Sequence, residues 1–207
     1  MTIQTETYFY EPTKGHGLPH DPFKAIVAPR PIGWISTRSR AGQVNLAPYS
    51  FFNAFSSNPP IIGFSSESYK DSVRNAEESG EFVANLVTKQ LAAAMNRTSA
   101  PVEPTVDEMQ LAGLEAAPCR LVAAPRVAAA PAALECKLLQ VVRLRDIQGN
   151  ELHTYLVLGQ VVGVHIDPRY LREGRFDLLA AQPILRAGYR DDYVEIGEMF
   201  RMIRPKE

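Results

Sequence analysis

Two β-type runs, Leu134–Arg145 and Leu152–Ile166, lie on either side of Gln148-Gly149-Asn150 and are the longest of their kind in the chain. A Gly/Asn turn between two apolar, β-branched stretches makes an antiparallel hairpin. Strands of that length need neighbours, and the upstream sequence supplies them. Ile32–Ser36 and Val44–Pro48 form a second hairpin around Arg40-Ala41-Gly42-Gln43. Phe51–Phe55 and Ile61–Ser65 continue the pattern across the break Asn58-Pro59-Pro60, and Glu81–Val87 alternates apolar and polar residues. Helices are short by comparison. One is capped by Asp71 or Ser72 and stopped by Gly80, one covers Gln90–Arg97, and one follows a Thr105-to-Glu108 capping box and ends at Gly113. Ala123–Ala133, with Pro125, Pro131 and many alanines, suits an exposed connection or an edge strand. Six or more strands with few helices between them predict a mainly β chain: a closed or nearly closed antiparallel barrel with peripheral helices. A parallel dinucleotide-binding sheet needs strand–helix alternation, which is missing.

The 207 residues fit one domain, 1–207, with 1–22 as an N-terminal arm and 167–207 as a C-terminal extension. Apolar residues make up 45% of the chain and charged ones 22%, enough for a core under an ordinary surface. A net charge of −1 gives no electrostatic case for nucleic acid or an anionic membrane. No apolar run reaches the roughly 18–20 residues a membrane span requires. The N-terminus has no basic-then-apolar signal, and Cys119 and Cys136 read as reduced core thiols, so a cytoplasmic location is expected. The four histidines, His16, His20, His153 and His165, suggest no metal site: the last two are twelve residues apart, about 40 Å along one extended strand.

The segment from Pro29 to Asn75 carries the candidate chemistry. Ser65 and Ser66 end a strand, and Lys70, Asp71 and Ser72 open a helix. Free amides at a helix N-terminus attract anions, and lysine with hydroxyls completes a phosphate cradle. The same residue types also serve as simple caps. Ser36, Thr37 and Arg38 either reach a phosphate or form an ordinary turn. Asn45, Ser50 and Asn53 offer polar side chains, while Ala47 and Pro48 let a flat ring approach the main chain. Phe51 and Phe52 point to opposite faces of a strand, so core and ligand contact both stay open; Phe51 is counted among the cofactor-binding candidates.

Four motifs, PRPIGWIST at Pro29–Thr37, NLAPYSFFN at Asn45–Asn53, the Ser-Ser and Lys-Asp-Ser of Ser65–Ser72, and GEFVANLVT at Gly80–Thr88, occur in that order. In these the chain resembles the flavin reductase-like, FMN-binding split-barrel family. The resemblance implies a six-stranded antiparallel Greek-key split barrel that forms a homodimer and binds FMN near the subunit boundary. It implies that Ser36 and Thr37 touch the phosphate or ribityl end. Asn45, Leu46, Ala47, Ser50 and Asn53 would surround the flavin, largely through main chain. Ser65, Ser66, Lys70, Asp71 and Ser72 would take the phosphate region, with Arg97 adding charge. No side chain is nominated as catalytic. The implied activity is hydride transfer from NAD(P)H to flavin and on to a flavin or protein acceptor such as a monooxygenase. The alternative is an FMN-binding electron carrier or storage protein without NAD(P)H turnover. One departure bears on this choice: where family members show Arg-x-Gly-Gly before a Tyr, this chain reads Arg186-Ala187-Gly188-Tyr189, and the ring at 189 narrows a nicotinamide entrance.

Overall fold

The computed structural model describes residues 7–205. Strands β1 (Gly33–Arg38), β2 (Val44–Tyr49), β3 (Phe52–Ser57), β4 (Pro60–Ser66) and β5 (Glu81–Leu86) come first. The two-residue β6 (Ala116–Ala117) and β7 (Arg126–Val127) precede the long pair β8 (Ala132–Arg145) and β9 (Glu151–Ile166). Seven of these form one antiparallel sheet in the order β2-β1-β5-β8-β9-β4-β3. Its two ends, β2 and β3, are consecutive in the chain and separated only by Ser50 and Phe51. The sheet must therefore curl until its edges meet, which is the split barrel. The Ser65 amide donates to the Phe51 carbonyl at 2.8 Å and fastens that corner to β4. Seven segments appear where six strands were expected because one run is broken at Ser50–Phe51. Register shifts at Glu135/Cys136, Leu138/Gln140 and Arg143/Arg145 bend the long β8–β9 hairpin in the way bulges do.

Inside the curl, Ile35, Phe64, Phe82, Cys136 and Val157 are fully buried, and Phe64 meets Phe82 edge-on with centroids 5.4 Å apart. Burial of each large side chain contributes about 1.5–3 kcal/mol. Gly159 leaves the room for this: a Cβ there would lie 2.4 Å from Phe82 Cε1. A second cluster covers the other face of β1, where Trp34 packs with Leu46, Met95, Met109, Val127 and Ile184. With Ile35 inward and Trp34 outward, β1 is buried on both faces.

Among the described residues five short helices sit around the sheet: α1 (Phe23–Ile26), α2 (Asp71–Ser79), α3 (Ala92–Arg97), α4 (Glu108–Leu111) and α5 (Leu178–Ala181). As expected, α2 ends at Gly80, which adopts φ +74°. Its N-cap is Lys70, with no side-chain cap bond, so neither Asp71 nor Ser72 caps it. The expected Thr105 capping box is replaced by Asp107, whose carboxylate accepts from the Met109 and Gln110 amides. Gln90–Arg97 divides into a 3-10 turn, Lys89–Leu91, and α3. The Ala123–Ala133 segment is not an exposed connection: Ala124, Val127, Ala130 and Ala133 are buried, because neighbouring side chains hold this segment against the sheet. Beyond β9, β10 (Leu171–Arg172) pairs with β11 (Arg175–Phe176), and β12 (Ile184–Arg186) pairs with β13 (Tyr193–Glu195). No helix among the described residues is long and apolar enough to cross a membrane.

Candidate functional site

Three cavities run end to end along β2. The first, about 430 Å³, is lined by Asn45, Ala47, Pro48, Lys70, Asp71, Ser72, Ser99 and Glu108, among others. The second, about 520 Å³, shares Pro48 and Ser99 with it and adds Ser50, Asn96, Arg186 and Tyr193. The third, about 840 Å³, shares Ser50 and Arg186 with the second and reaches His20, Lys24, Arg30 and Tyr189. Each falls within the range of small-molecule and cofactor sites. Together they make one groove, with α2 at one end and the C-terminal hairpin at the other.

Long-range hydrogen bonds fix its walls. Trp34 Nε1 donates to Thr98 Oγ1 at 2.9 Å, and Thr98 Oγ1 donates to the Met95 carbonyl at 2.8 Å. Those bonds tie the end of α3 to β1 and set Ser99–Val102 beside β2. The Leu46 amide donates to Glu108 Oε2 at 3.0 Å and anchors α4 to the same strand. Burial pushes the Glu108 carboxyl above its usual range, with the Leu46 amide opposing the shift. The Asn45 amide finds complementary partners when its nitrogen faces Glu108 Oε1 at 3.3 Å and its oxygen accepts from Ser72 Oγ at 2.8 Å. At the groove floor the Tyr49 hydroxyl is buried near Ser66 and Ser72 with no aligned partner.

Of the sequence-predicted residues, Asn45, Ala47, Ser50, Lys70, Asp71 and Ser72 line the groove. Asp71 is tied to Arg74 at 2.6 Å, which offsets its charge at the α2 terminus. Leu46 points away into the Trp34 cluster, and its amide already serves Glu108. Ser36 and Thr37 lie elsewhere. Ser36 is fully buried and donates to the Pro125 carbonyl at 2.5 Å, while Thr37 accepts from Asn75 Nδ2 at 3.1 Å. Ser66 is buried and donates to the Ser68 carbonyl, and the Ser65 amide serves Phe51. Asn53 is exposed on β3 and accepts from the Ala54 amide. Arg97 is exposed and lines none of the three cavities. Phe51 is half-buried with Lys24 Nζ and the Arg30 guanidinium each 5.7 Å from its ring centre.

The site residues expected from the sequence did not include Arg30 or Glu108, and Arg186 was named only within the departing Arg186–Tyr189 segment. Arg30 stands inside the quoted PRPIGWIST motif, and its neighbour in space is 156 positions away in sequence, so only the folded chain pairs them. A separate cluster also went unforeseen: Cys119, Glu135 and His165 place their ligand atoms within 4.8 Å of one another. Glu135 is already saturated there, accepting from the Arg120, Leu121 and Val122 amides and facing His165 Nε2 at 2.5 Å. Burial pushes the Cys119 thiol up to about 11, which keeps it protonated at neutral pH. The cluster is a structural knot.

A family model described as "Flavin reductase like domain" matches residues 27–182, well over half of the chain. The chain belongs to the flavin reductase-like family, whose fold is the split barrel described above. An uncharacterized protein of Halalkalibacterium halodurans is 37% identical over 185 residues, covering 86% of this chain and 87% of that protein. The crystal structure of nitrilotriacetate monooxygenase component B from Bacillus cereus superposes with a TM-score of 0.87 at 29% identity, covering 96% of this chain and 100% of that one. The structure of Pseudomonas fluorescens 2-nitrobenzoate 2-nitroreductase NbaA gives a TM-score of 0.78 at 26% identity, covering 88% of each chain.

Proposed function

We propose that this protein is an FMN-dependent flavin oxidoreductase that draws a hydride from NAD(P)H and passes electrons to a flavin or to a protein acceptor such as a monooxygenase. The supporting observation is the continuous groove along β2, polar at the α2 end and flanked by Arg186 and Tyr193 in its middle. Its donor set suits FMN. Lys70 and the unpaired first-turn amides of α2 would hold the phosphate, as helix N-termini do. Ala47, Pro48 and Ser50 would lie along the ring through main chain and one hydroxyl, and the unsatisfied Tyr49 hydroxyl has a donor to give. Bound flavin supplies two-electron chemistry that no side chain in the groove offers. The protein's part is to orient and to shield, so no side chain is assigned a proton-transfer role.

Resemblance to a monooxygenase component B supports a monooxygenase as one class of acceptor. A homodimer is the assembly we propose, since Phe55, Leu139 and Val164 stand 56%, 50% and 61% exposed on the sheet and would be covered by a second copy. The test is direct. The purified protein is titrated with FMN by visible absorbance, and NADH and NADPH oxidation are then followed with free FMN as acceptor. Tight FMN binding with turnover of at least one donor supports the reading. Saturation without turnover of either overturns it in favour of a flavin carrier, and absence of FMN binding overturns both.

A further inference from the structure

Arg30 and Arg186 face each other across an isolated antiparallel bridge, their amides donating to one another's carbonyls at 3.0 and 2.8 Å. Residues paired in this way carry side chains on the same face with Cβ atoms about 4.5–5.5 Å apart, and like charges so placed repel. Among the described residues no carboxylate forms an ion pair with either guanidinium. Arg30 is only 6% exposed. Its Nη1 and Nη2 donate to the carbonyls of Lys24 and Ala187 at 2.5 and 3.1 Å, and its Nε is buried without a partner. Arg186 donates to the carbonyls of Asp192 and Arg190 and lies 4.7 Å over the Tyr193 ring. Carbonyls and rings thus hold both cations in place and leave their charge uncancelled. Burial, with the charge of Arg186 added, lowers the Arg30 guanidinium from its ordinary value. A buried cation without a counter-charge is costly, and an incoming anion removes that cost.

We propose that the Arg30–Arg186 pair is the docking point for the diphosphate of the nicotinamide dinucleotide, in the 840 Å³ cavity at the opposite end of the groove from Lys70. This rests on the oxidoreductase reading above. The cavity wall carries four permanent cations, Lys24, Arg30, Arg186 and Arg190, against three carboxylates, Asp21, Asp191 and Asp192. Tyr189, which meets His20 edge-on at 5.8 Å, gives the same cavity a flat wall for a base. Ser50 borders both this cavity and the middle one, so a dinucleotide anchored here has its other end beside the proposed flavin ring. Tyr189 accordingly becomes a wall of the entrance.

A phosphoryl anion could also come from FMN, and the experiment separates the two sources. ADP-ribose, which has the diphosphate and lacks nicotinamide, is titrated by calorimetry into the full chain with and without FMN, and FMN is titrated separately. The expected result is that ADP-ribose binds, more weakly at high salt, and that Arg186→Gln weakens it about ten- to a hundredfold while FMN, whose proposed ring lies beside Arg186, loses a smaller factor. Arg186→Lys keeps the charge without the planar fork and should fall between the two. No ADP-ribose binding by the native chain, equal binding by the Gln variant, or a greater loss for FMN than for ADP-ribose would each overturn the proposal. If FMN fails to bind while ADP-ribose binds and responds to Arg186→Gln, the functional reading falls and the diphosphate site stands.

Discussion

Two polar regions flank β1, and they treat their polar groups in opposite ways. Along β5 and β8 the polar side chains are filled by the chain itself. Glu135 accepts from the amides of Arg120, Leu121 and Val122, Glu81 from those of Ala123 and Ala124, and Asn85 from that of Val127. Ser36 completes this seam through the Pro125 carbonyl. Along β2, by contrast, Lys70 and Ser50 face open cavities. Residue type is similar in the two regions; what differs is whether the fold has already used the bonding capacity. A seam of this kind is stability, and a groove of this kind is available for a ligand.

The contrast breaks most readily at the seam. Glu135→Ala strands the amides of Arg120, Leu121 and the buried Val122 and should cost about 3 kcal/mol of unfolding free energy, read as a fall in the urea midpoint, with FMN affinity of the folded fraction unchanged. An affinity loss as large as the stability loss would erase the distinction between the regions. The same carboxylate sets a pH dependence. Burial alone would raise it, but the Arg120 amide, His165 and the Leu121 amide together hold it below its ordinary value. Its stabilisation is therefore complete above the unfolded carboxylate pKa and is lost as pH falls through the folded one. Native chain and Glu135→Gln should converge in stability as pH is taken below about 4.

A smaller effect comes from the groove. Lys70→Ala should weaken FMN about tenfold, since an exposed lysine's charge-assisted bond is partly screened, and should leave the urea midpoint in place. Unchanged FMN affinity at matched salt would move the phosphate away from α2. Least is expected of Ser36→Ala: about 1 kcal/mol of stability and no change in FMN affinity. A loss of FMN affinity there would return Ser36 to the ligand.

These cases also show what was legible in the sequence. Hairpins, the Gly80 stop and the helix-opening Lys-Asp-Ser were readable because turn chemistry and periodicity are local. The groove residues Asn45, Ala47 and Ser50 were found through their motif. That Ser36 is buried against Pro125 was not legible, because this hydrogen-bond partner lies 89 residues away and burial by a distant segment has no local signature. Phosphate-binding and core hydroxyls look alike until the packing is known. Ala123–Ala133 was read as an exposed connection or edge strand for the same reason: its prolines and alanines cannot reveal that Glu81 and Asn85 on β5 hold it down. The Arg30–Arg186 pair joins residues 156 positions apart and is created only by the C-terminal return.

The seam has one more consequence. Between residues 119 and 127 the only regular pairing is the two-residue β7, yet six backbone N–H groups there are held by Glu135, Glu81 and Asn85. Side chains stand in for a missing strand. In deuterium-exchange experiments this connector should therefore exchange as slowly as the barrel wall rather than at the pace of a surface linker, and the amide protons held by Glu135 should be released together when acid loosens that carboxylate.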